Sequence, residues 1–341
     1  MAHVVASAVP QGAADELAAR LTTALRSDVA VVDWKDGPTP GGLLVLAPHE
    51  LADDERRAAL ASVDYSWVHV TSAGVDFAGL ADVGPGTLLT RSWRCYAAPL
   101  AEYAMHAILT HEWAGAARWG LAVPAVSGHA APVPESAVPD PGVGLWGCAV
   151  GIVGWGEVGR RLAVALTALG ASVRVLSRTP RVSDDPRVRH TTRLDDVLDV
   201  DHLVLALPLG EDSRGLLDRE ALGRARPGLH LVNVSRGELV DTDALLEHCD
   251  AGRLHATLDV TSPEPLPDDH PLRVVPTVRL SPHVAWRSRE SAWAYVDDLV
   301  AVWQALARHE PVPGVVSGQL DRARALTTGR LLVPTSGGHG G

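Results

Sequence analysis

The stretch Cys148-Ala149-Val150-Gly151-Ile152-Val153-Gly154-Trp155-Gly156-Glu157-Val158-Gly159-Arg160-Arg161-Leu162 constrains this chain more than any other. A short apolar run precedes three glycines spaced G-x-G-x-x-G, and an amphipathic segment continues to Gly170, so the stretch reads as strand, turn and helix. In that setting Gly154 permits the tight turn, Gly156 lets backbone approach a pyrophosphate, and Gly159 lets the helix lie close to the strand. The helix N-terminus then faces the negative charge. Trp155, Glu157 and Val158 belong to the same turn and are expected beside the dinucleotide. With 32 glycines a chance match to the spacing is easy, and it is the flanking strand and helix that make this one a dinucleotide site.

The 341 residues suffice for two domains with separate cores, and a composition 46% hydrophobic and 21% charged is that of a globular chain. A net charge of -11 with no basic cluster repels polyanions, which argues against nucleic acid as a partner. A single lysine, Lys35, and a single phenylalanine, Phe77, beside 24 prolines read as coding bias of a GC-rich genome. Cys95, Cys148 and Cys249 have no C-x-x-C spacing, so neither a disulfide framework nor a zinc site is expected. His106 and His111, five apart on a helix, do not share a face as metal ligands would, and no metal is expected. Met1 to Pro10 lacks a basic n-region and no apolar run reaches membrane-span length, so the expectation is a soluble cytoplasmic protein with no membrane partner.

From the start of the chain, strands are expected at His3–Val9, Asp28–Asp33, Leu43–Ala47, Ser66–Thr71 and Leu88-Leu89, with a helix over Ala13–Arg26 and another opened by Asp53-Asp54-Glu55. Pro99 to Arg118 carries a long alanine-rich helix signal. Gly120–Gly147 is broken by prolines and glycines, which suits a functional loop or an interaction arm. Beyond Cys148, strands are expected at Ser172–Leu176, His202–Ala206, Leu229–Val234, Leu254–Asp259 and Val278–Leu280, with a helix at Thr242–Ala251. A last helix, Ser291–Arg308, is expected to return to the first domain. Residues 315–341 are expected to form a disordered tail on composition.

Three short motifs follow the glycine fingerprint, each at or just after a predicted strand end: Val234-Ser235-Arg236-Gly237-Glu238-Leu239-Val240-Asp241, Leu258-Asp259-Val260-Thr261-Ser262-Pro263-Glu264-Pro265 and Leu280-Ser281-Pro282-His283-Val284-Ala285. They supply an arginine, a carboxylate and a histidine on the carboxyl side of one sheet, where a substrate should lie. An arginine can fork onto a carboxylate and polarise a neighbouring carbonyl, and a histidine can give or take a hydroxyl proton while a carboxylate raises its pKa. Beside a nicotinamide this is hydride transfer to a 2-oxo acid. Each residue alone could be an ordinary surface or loop group; their order and spacing set the functional reading apart.

The fingerprint, the Ser-Arg-Gly, the Glu-Pro and the Ser-Pro-His together resemble the D-isomer-specific 2-hydroxyacid dehydrogenase family over roughly residues 66–302. The resemblance implies Arg236 as clamp of the substrate carboxylate and carbonyl, Glu264 as partner of the histidine, and His283 as acid/base. It also implies that Ser72, Ala73, Gly74 and Val75 offer backbone N–H groups to the carboxylate, and that two domains close over the substrate. Phosphite-oxidising members carry a lysine where this chain has Ala73, formate dehydrogenases lack the Glu264 and His283 pairing, and the tail is too short for the regulatory domain of many phosphoglycerate dehydrogenases.

About twenty residues past the fingerprint an NAD site wants Asp or Glu; this chain has Leu176-Ser177-Arg178-Thr179, so NADP(H) is favoured and NAD(H) remains open. Glyoxylate and hydroxypyruvate reductases of the family carry a similar Ser-Arg, and Arg181 is expected to assist there. Leu207, Pro208, Val234, Ser235 and Asp259 complete the expected cofactor contacts. For the substrate, Arg91 and Arg94 flank Trp93 beside Tyr96, either as a second anion subsite or as one ion pair and one carboxylate contact; Trp286 is expected to line the same pocket.

The expectation is therefore an α/β chain of two Rossmann-like or flavodoxin-like domains, with doubly wound parallel sheets and an active-site cleft between them. Residues 1–98 with 285–314 would bind substrate and 99–284 would bind the dinucleotide. The resemblance implies a homodimer built on the Rossmann domain, with the Pro99–Arg118 helix and the proline-rich loop as contact arm. The activity would be reversible reduction of a small 2-oxo acid to the D-2-hydroxy acid. Two alternatives stand beside it: a reductase of a 2-oxo acid bearing a phosphonate or other second anion, and a dinucleotide-sensing corepressor-like binding protein.

Overall fold

The computed structural model describes residues 3–7, 14–33, 40–76, 80, 83–113 and 144–328. The chain divides into two compact units, residues 1–96 with 288–341 and residues 97–287.

In the first unit β1 (His3–Ser7), α1 (Ala14–Leu25), β2 (Val29–Asp33), β3 (Leu43–Leu46), α2 (Asp54–Ser62), β4 (Trp67–Val70) and β5 (Leu88–Arg91) follow one another. The parallel order β2-β1-β3-β4-β5 is the flavodoxin-like 2-1-3-4-5. Such strands bury both faces, so they read as continuous apolar runs rather than as alternation. In Leu43-Leu44-Val45-Leu46 the residues Leu43 and Val45 join the core on one face, and Leu44 and Leu46 the core on the other.

The second unit runs through α3 (Ala97–Trp113), β6 (Ala149–Val153), α4 (Glu157–Ala168), β7 (Ser172–Leu176), β8 (Val188–Thr191), α5 (Asp195–Leu198), β9 (His202–Leu205), α6 (Arg219–Arg224), β10 (His230–Asn233), α7 (Thr242–Asp250), β11 (His255–Leu258) and β12 (Val278–Leu280). Its parallel order β12-β11-β10-β9-β6-β7-β8 is that of a Rossmann sheet with an added strand, and the order reverses between β6 and β9. Helices cover both faces: Leu203, Leu205 and Leu231 point into one core, Val204 and Val232 into the other.

Three elements went unforeseen in this unit. Strand β8 is an edge strand whose Arg189 is exposed and whose His190 and Thr191 are half-buried, so little apolar pattern marks it; α5 and α6 are too short to show a helical period.

The chain then enters α8 (Tyr295–Arg308), β13 (Val315–Ser317) and α9 (Leu320–Thr327), all in the first unit. The last two correct the expectation of disorder from residue 315. Strand β13 pairs antiparallel with β5, and Ala323 and Leu326 of α9 are buried against the α8 core, an apolar stripe too short to outweigh a polar composition when read as a window. Residues 329–341 of that tail and residues 120–143 of the proline-rich loop lie outside the described residues. Among the described residues no helix is long and apolar enough to cross a membrane.

Candidate functional site

The turn after β6 is shaped by what it must avoid. Gly154 has φ +107°, and a Cβ there would stand 2.3 Å from the Ala206 carbonyl oxygen; one on Gly159 would stand 2.3 Å from the Gly154 carbonyl oxygen. These two contacts fasten the turn to the end of β9 and the first turn of α4 to β6. Gly156, by contrast, would meet nothing within 4 Å, and it caps α4 without a side-chain hydrogen bond. The helix N-terminus thus opens onto space a phosphate can fill, and the residues fit a dinucleotide pyrophosphate. Glu157 and Val158 form the first turn of α4, while Trp155 packs edge-on against His190 of β8, ring centroids 4.7 Å apart.

After β7, Ser177 Oγ donates to the Thr179 carbonyl (2.9 Å), a local turn that leaves Arg178 and Thr179 exposed at the strand end. Arg181 lies close enough for its charge to hold the His190 imidazole below its usual range, after burial as the larger cause. Histidine 190 was not foreseen, because nothing in its local sequence marked β8.

Ser235 ties two strand ends together: its Oγ accepts from the Leu207 N–H (3.1 Å) and donates to the Leu205 carbonyl (2.9 Å). Pro208 follows in that loop and accepts from Ser213 Oγ, while Val234 is buried below it. Asn233, 1% exposed, donates to the Arg236 carbonyl (2.8 Å) and accepts from the Ser235 N–H (3.0 Å), fixing the backbone that carries the arginine. The next residue explains the Ser-Arg-Gly. A Cβ on Gly237 would lie 2.0 Å from the Thr261 carbonyl carbon, so only glycine brings this loop against the one bearing Glu264. Arg236 is half-buried, and one of its terminal nitrogens donates to the Ser235 carbonyl (2.8 Å).

His283 Nδ1 donates to Glu264 Oε1 at 2.6 Å. That hydrogen bond raises the imidazole above its usual range; burial opposes it, the charges of Glu264 and Asp259 assist, and the charge of Arg236 opposes. Glu264 and Arg236 therefore both act on the His283 imidazole, in opposite directions. His283 adopts φ +52°, left-handed backbone that a non-glycine residue holds at a cost of about 1–3 kcal/mol. The clamp is Asp259, 2% exposed: its carbonyl accepts from the His283 N–H (2.9 Å), and its carboxylate accepts from Ser281 Oγ (2.5 Å) and from the N–H groups of Val284 (2.8 Å) and Ala285 (2.9 Å). Tyr103 of α3 reaches Ser281 Oγ at 2.6 Å. Asp259, expected at the cofactor, thus has its carboxylate on the 281–285 loop. The indole N–H of Trp286 donates to the His283 carbonyl (3.0 Å), and Arg287 lies over that ring.

The residues expected from the first unit have tasks of their own. Ser72 Oγ donates to the Gly74 carbonyl (2.6 Å), and an Arg91 terminal nitrogen donates to the Ala73 carbonyl, so hydroxyl and guanidinium shape the turn that ends at Val75. Arg94 stacks over Trp93 and its Nε donates to Asp298 Oδ1 (2.8 Å). Asp298, 1% exposed on α8, also accepts from the backbone N–H groups of Trp93, Arg94 and Cys95 at 2.9–3.1 Å. Arg94 is therefore the member of the arginine pair that makes an ion pair, and its partner is a buried acid. A carboxylate on the apolar face of α8, between Tyr295 and Val302, was the signal for Asp298. Tyr96 and Cys95 lie beside it; burial pushes the Cys95 thiol up to about 12 and raises the Tyr96 phenol as well.

A Rossmann sheet with an open glycine turn at its switch point defines a nicotinamide dinucleotide-binding domain. Residues 129–285 match the D-isomer specific 2-hydroxyacid dehydrogenase, NAD binding domain, and that part of the chain is a domain of this type. It is 38% identical over 162 residues to glyoxylate/hydroxypyruvate reductase B of Pectobacterium atrosepticum, covering 45% of this chain and 50% of that protein. It is 30% identical over 288 residues to D-3-phosphoglycerate dehydrogenase of Mycobacterium bovis, covering 82% and 53%. The chain spans about half the length of these curated relatives. Among solved structures it is similar to a D-isomer specific 2-hydroxyacid dehydrogenase from Xanthobacter autotrophicus Py2 in complex with NADPH and MES, with TM-score 0.71, 24% identity, and coverage of 95% of this chain and 99% of that one.

Proposed function

We propose that this protein reversibly reduces a small 2-oxo acid to the D-2-hydroxy acid with NADPH. The observation that carries this reading is the His283–Glu264 pair at 2.6 Å, poised by Arg236 on the carboxyl side of a dinucleotide-binding sheet. The Gly154–Gly159 turn and the N-terminus of α4 would hold the pyrophosphate, and Ser177, Arg178 and Thr179 the adenosine end. A bound nicotinamide supplies the hydride.

Every other part of the chemistry belongs to side chains. Glu264 occupies Nδ1 of His283, which directs Nε2 towards the substrate oxygen. Charged, His283 donates its Nε2 proton as negative charge grows on that oxygen; neutral, it takes the proton back in the oxidative direction. The guanidinium of Arg236 matches a carboxylate and the adjacent carbonyl, binding the acid and polarising C2. Within the first unit, Arg91 braces Ala73 of the 72–75 turn. The absence of a carboxylate at Ser177-Arg178 and an exposed guanidinium favour a 2′-phosphate. Arg94 is committed to Asp298, so a second-anion substrate draws no support from it. We also assign the second unit, with α3, as the homodimer contact.

The test is the initial rate of NADPH and of NADH oxidation with glyoxylate, hydroxypyruvate, pyruvate, oxaloacetate and phosphonopyruvate. Turnover with NADPH that His283→Ala lowers by about 10²–10⁴-fold supports the reading. Equal rates in that variant overturn the role of His283, and a strong preference for NADH overturns the cofactor assignment. Nucleotide binding with no turnover on any acid favours a sensor.

A further inference from the structure

The second unit gathers another set of polar side chains at the amino ends of its strands, the edge opposite the motifs above. Cys148 immediately precedes β6, and His202, His230 and His255 each open a strand; the parallel register places His230 level with both His202 and His255. The last turn of α3 adds His111, stacked on His230 at 4.2 Å, and Glu112. His202 Nε2 donates to Glu112 Oε1 (2.8 Å), His202 Nδ1 meets His230 Nδ1 (3.1 Å), and His230 Nε2 meets Thr257 Oγ1 (2.9 Å). The thiol of Cys148 donates to Asp201 Oδ2 (3.4 Å), which also accepts from the Ala149 N–H, while Asp201 Oδ1 is held by Arg226 (2.7 Å).

Ligand atoms of Glu112, Cys148 and His202 all lie within 4.8 Å of one another. Bond lengths of about 2.0–2.3 Å in a tetrahedral zinc site put neighbouring ligand atoms about 3.3–3.8 Å apart, so the separations within the trio need to close by about 1.5 Å at most, shared between two side chains. We propose that Glu112, Cys148 and His202 bind one divalent transition-metal cation of the zinc type, with water as fourth ligand. A cavity of about 330 Å³ lined by Glu112, Cys148, Asp201 and Trp146 supplies the entry path and room for that water.

The groups behind the ligands suit this occupant. Gly144 N–H donates to Glu112 Oε2 (2.8 Å) and orients the carboxylate. On binding, His202 must present the Nε2 lone pair, so its proton moves to Nδ1. That nitrogen then donates to His230 Nδ1, whose own proton moves to Nε2 and points at Thr257 Oγ1. A hydroxyl both donates and accepts, so the His202–His230–Thr257 chain reverses without leaving a buried group unpaired. The Cys148 thiol releases one proton to solvent, and the two positive charges of the cation are matched by one carboxylate and one thiolate. His106 and His111, the pair weighed in the sequence, are not the ligands; the three that are lie 36 and 54 positions apart in the chain.

The experiment is titration of the full chain with Co²⁺, read by absorption, followed by displacement with Zn²⁺. Expected are tetrahedral visible bands and a near-ultraviolet thiolate-to-cobalt band saturating at one equivalent. Cys148→Ala should abolish the thiolate band, and Glu112→Gln should weaken binding by about tenfold or more while dinucleotide binding at the other edge persists. Glu112→Gln keeps the packing and the hydrogen-bond partner of His202, so it decides the matter if Cys148→Ala does not fold. No thiolate band at saturating Co²⁺ overturns the proposal. So does a one-equivalent signal whose affinity Glu112→Gln leaves unchanged.

Discussion

At the scale of single residues, the site depends on one proton and what holds it. Glu264 raises the pKa of His283, chiefly through the hydrogen bond to Nδ1, and the imidazolium is the form that the proposed reduction needs. Reduction should therefore be fast at low pH and fall as pH rises through the raised pKa, with oxidation showing the opposite limb. Glu264→Gln removes the charge and keeps a hydrogen-bond acceptor, so the falling limb should move to lower pH; a pH profile of kcat/KM that coincides with the parent would refute this. His283, Glu264 and Arg236 were legible in the sequence because each motif carries its own chemistry. Asp259 was legible as a position but not as a clamp, since its four contacts come from a loop more than twenty residues downstream.

At the scale of elements, short loops are set by what they dock onto. The 93–95 loop has three backbone N–H groups on one carboxylate, Asp298 of α8, more than two hundred residues away. Asp298→Ala leaves those donors without an acceptor and should cost about 3 kcal/mol, at roughly 1 kcal/mol for each lost bond. The measurement is urea unfolding of the variant beside the parent, and an unchanged midpoint would mean that water replaces the carboxylate in full. The strands β3, β4, β6, β9 and β10 announced themselves as apolar runs because both their faces are buried. Strand β8 sits at a sheet edge and α9 is two turns long, so neither carries enough apolar pattern to be read locally.

At the scale of the whole molecule, each unit hides a histidine-bearing polar core inside a parallel sheet. In the first unit His69 is fully buried on β4 between Thr90 Oγ1 (2.8 Å) and Ser92 Oγ (3.1 Å), and Thr90 also accepts the Trp67 indole N–H (2.7 Å). Burial lowers its pKa to about 3, against the opposing pull of Asp298. A histidine whose folded pKa is depressed contributes stability that is complete above its unfolded pKa, about 6.5, and is lost as pH falls towards the folded value. Denaturant midpoints should therefore decline from about pH 7.5 to pH 5, and His69→Gln should flatten part of that decline. A variant with the parent's full slope would rule out His69 as a source of the dependence. By itself the sequence determined the α/β class, the dinucleotide turn and the three motif residues, because strand burial, glycine geometry and side-chain chemistry are local properties written in consecutive residues. Only the tertiary structure decided which distant groups meet. Parallel register set His202, His230 and His255 side by side, brought Glu112 and Cys148 to them, and gave Arg94 its buried partner, because contacts across a sheet depend on strand order and not on spacing along the chain.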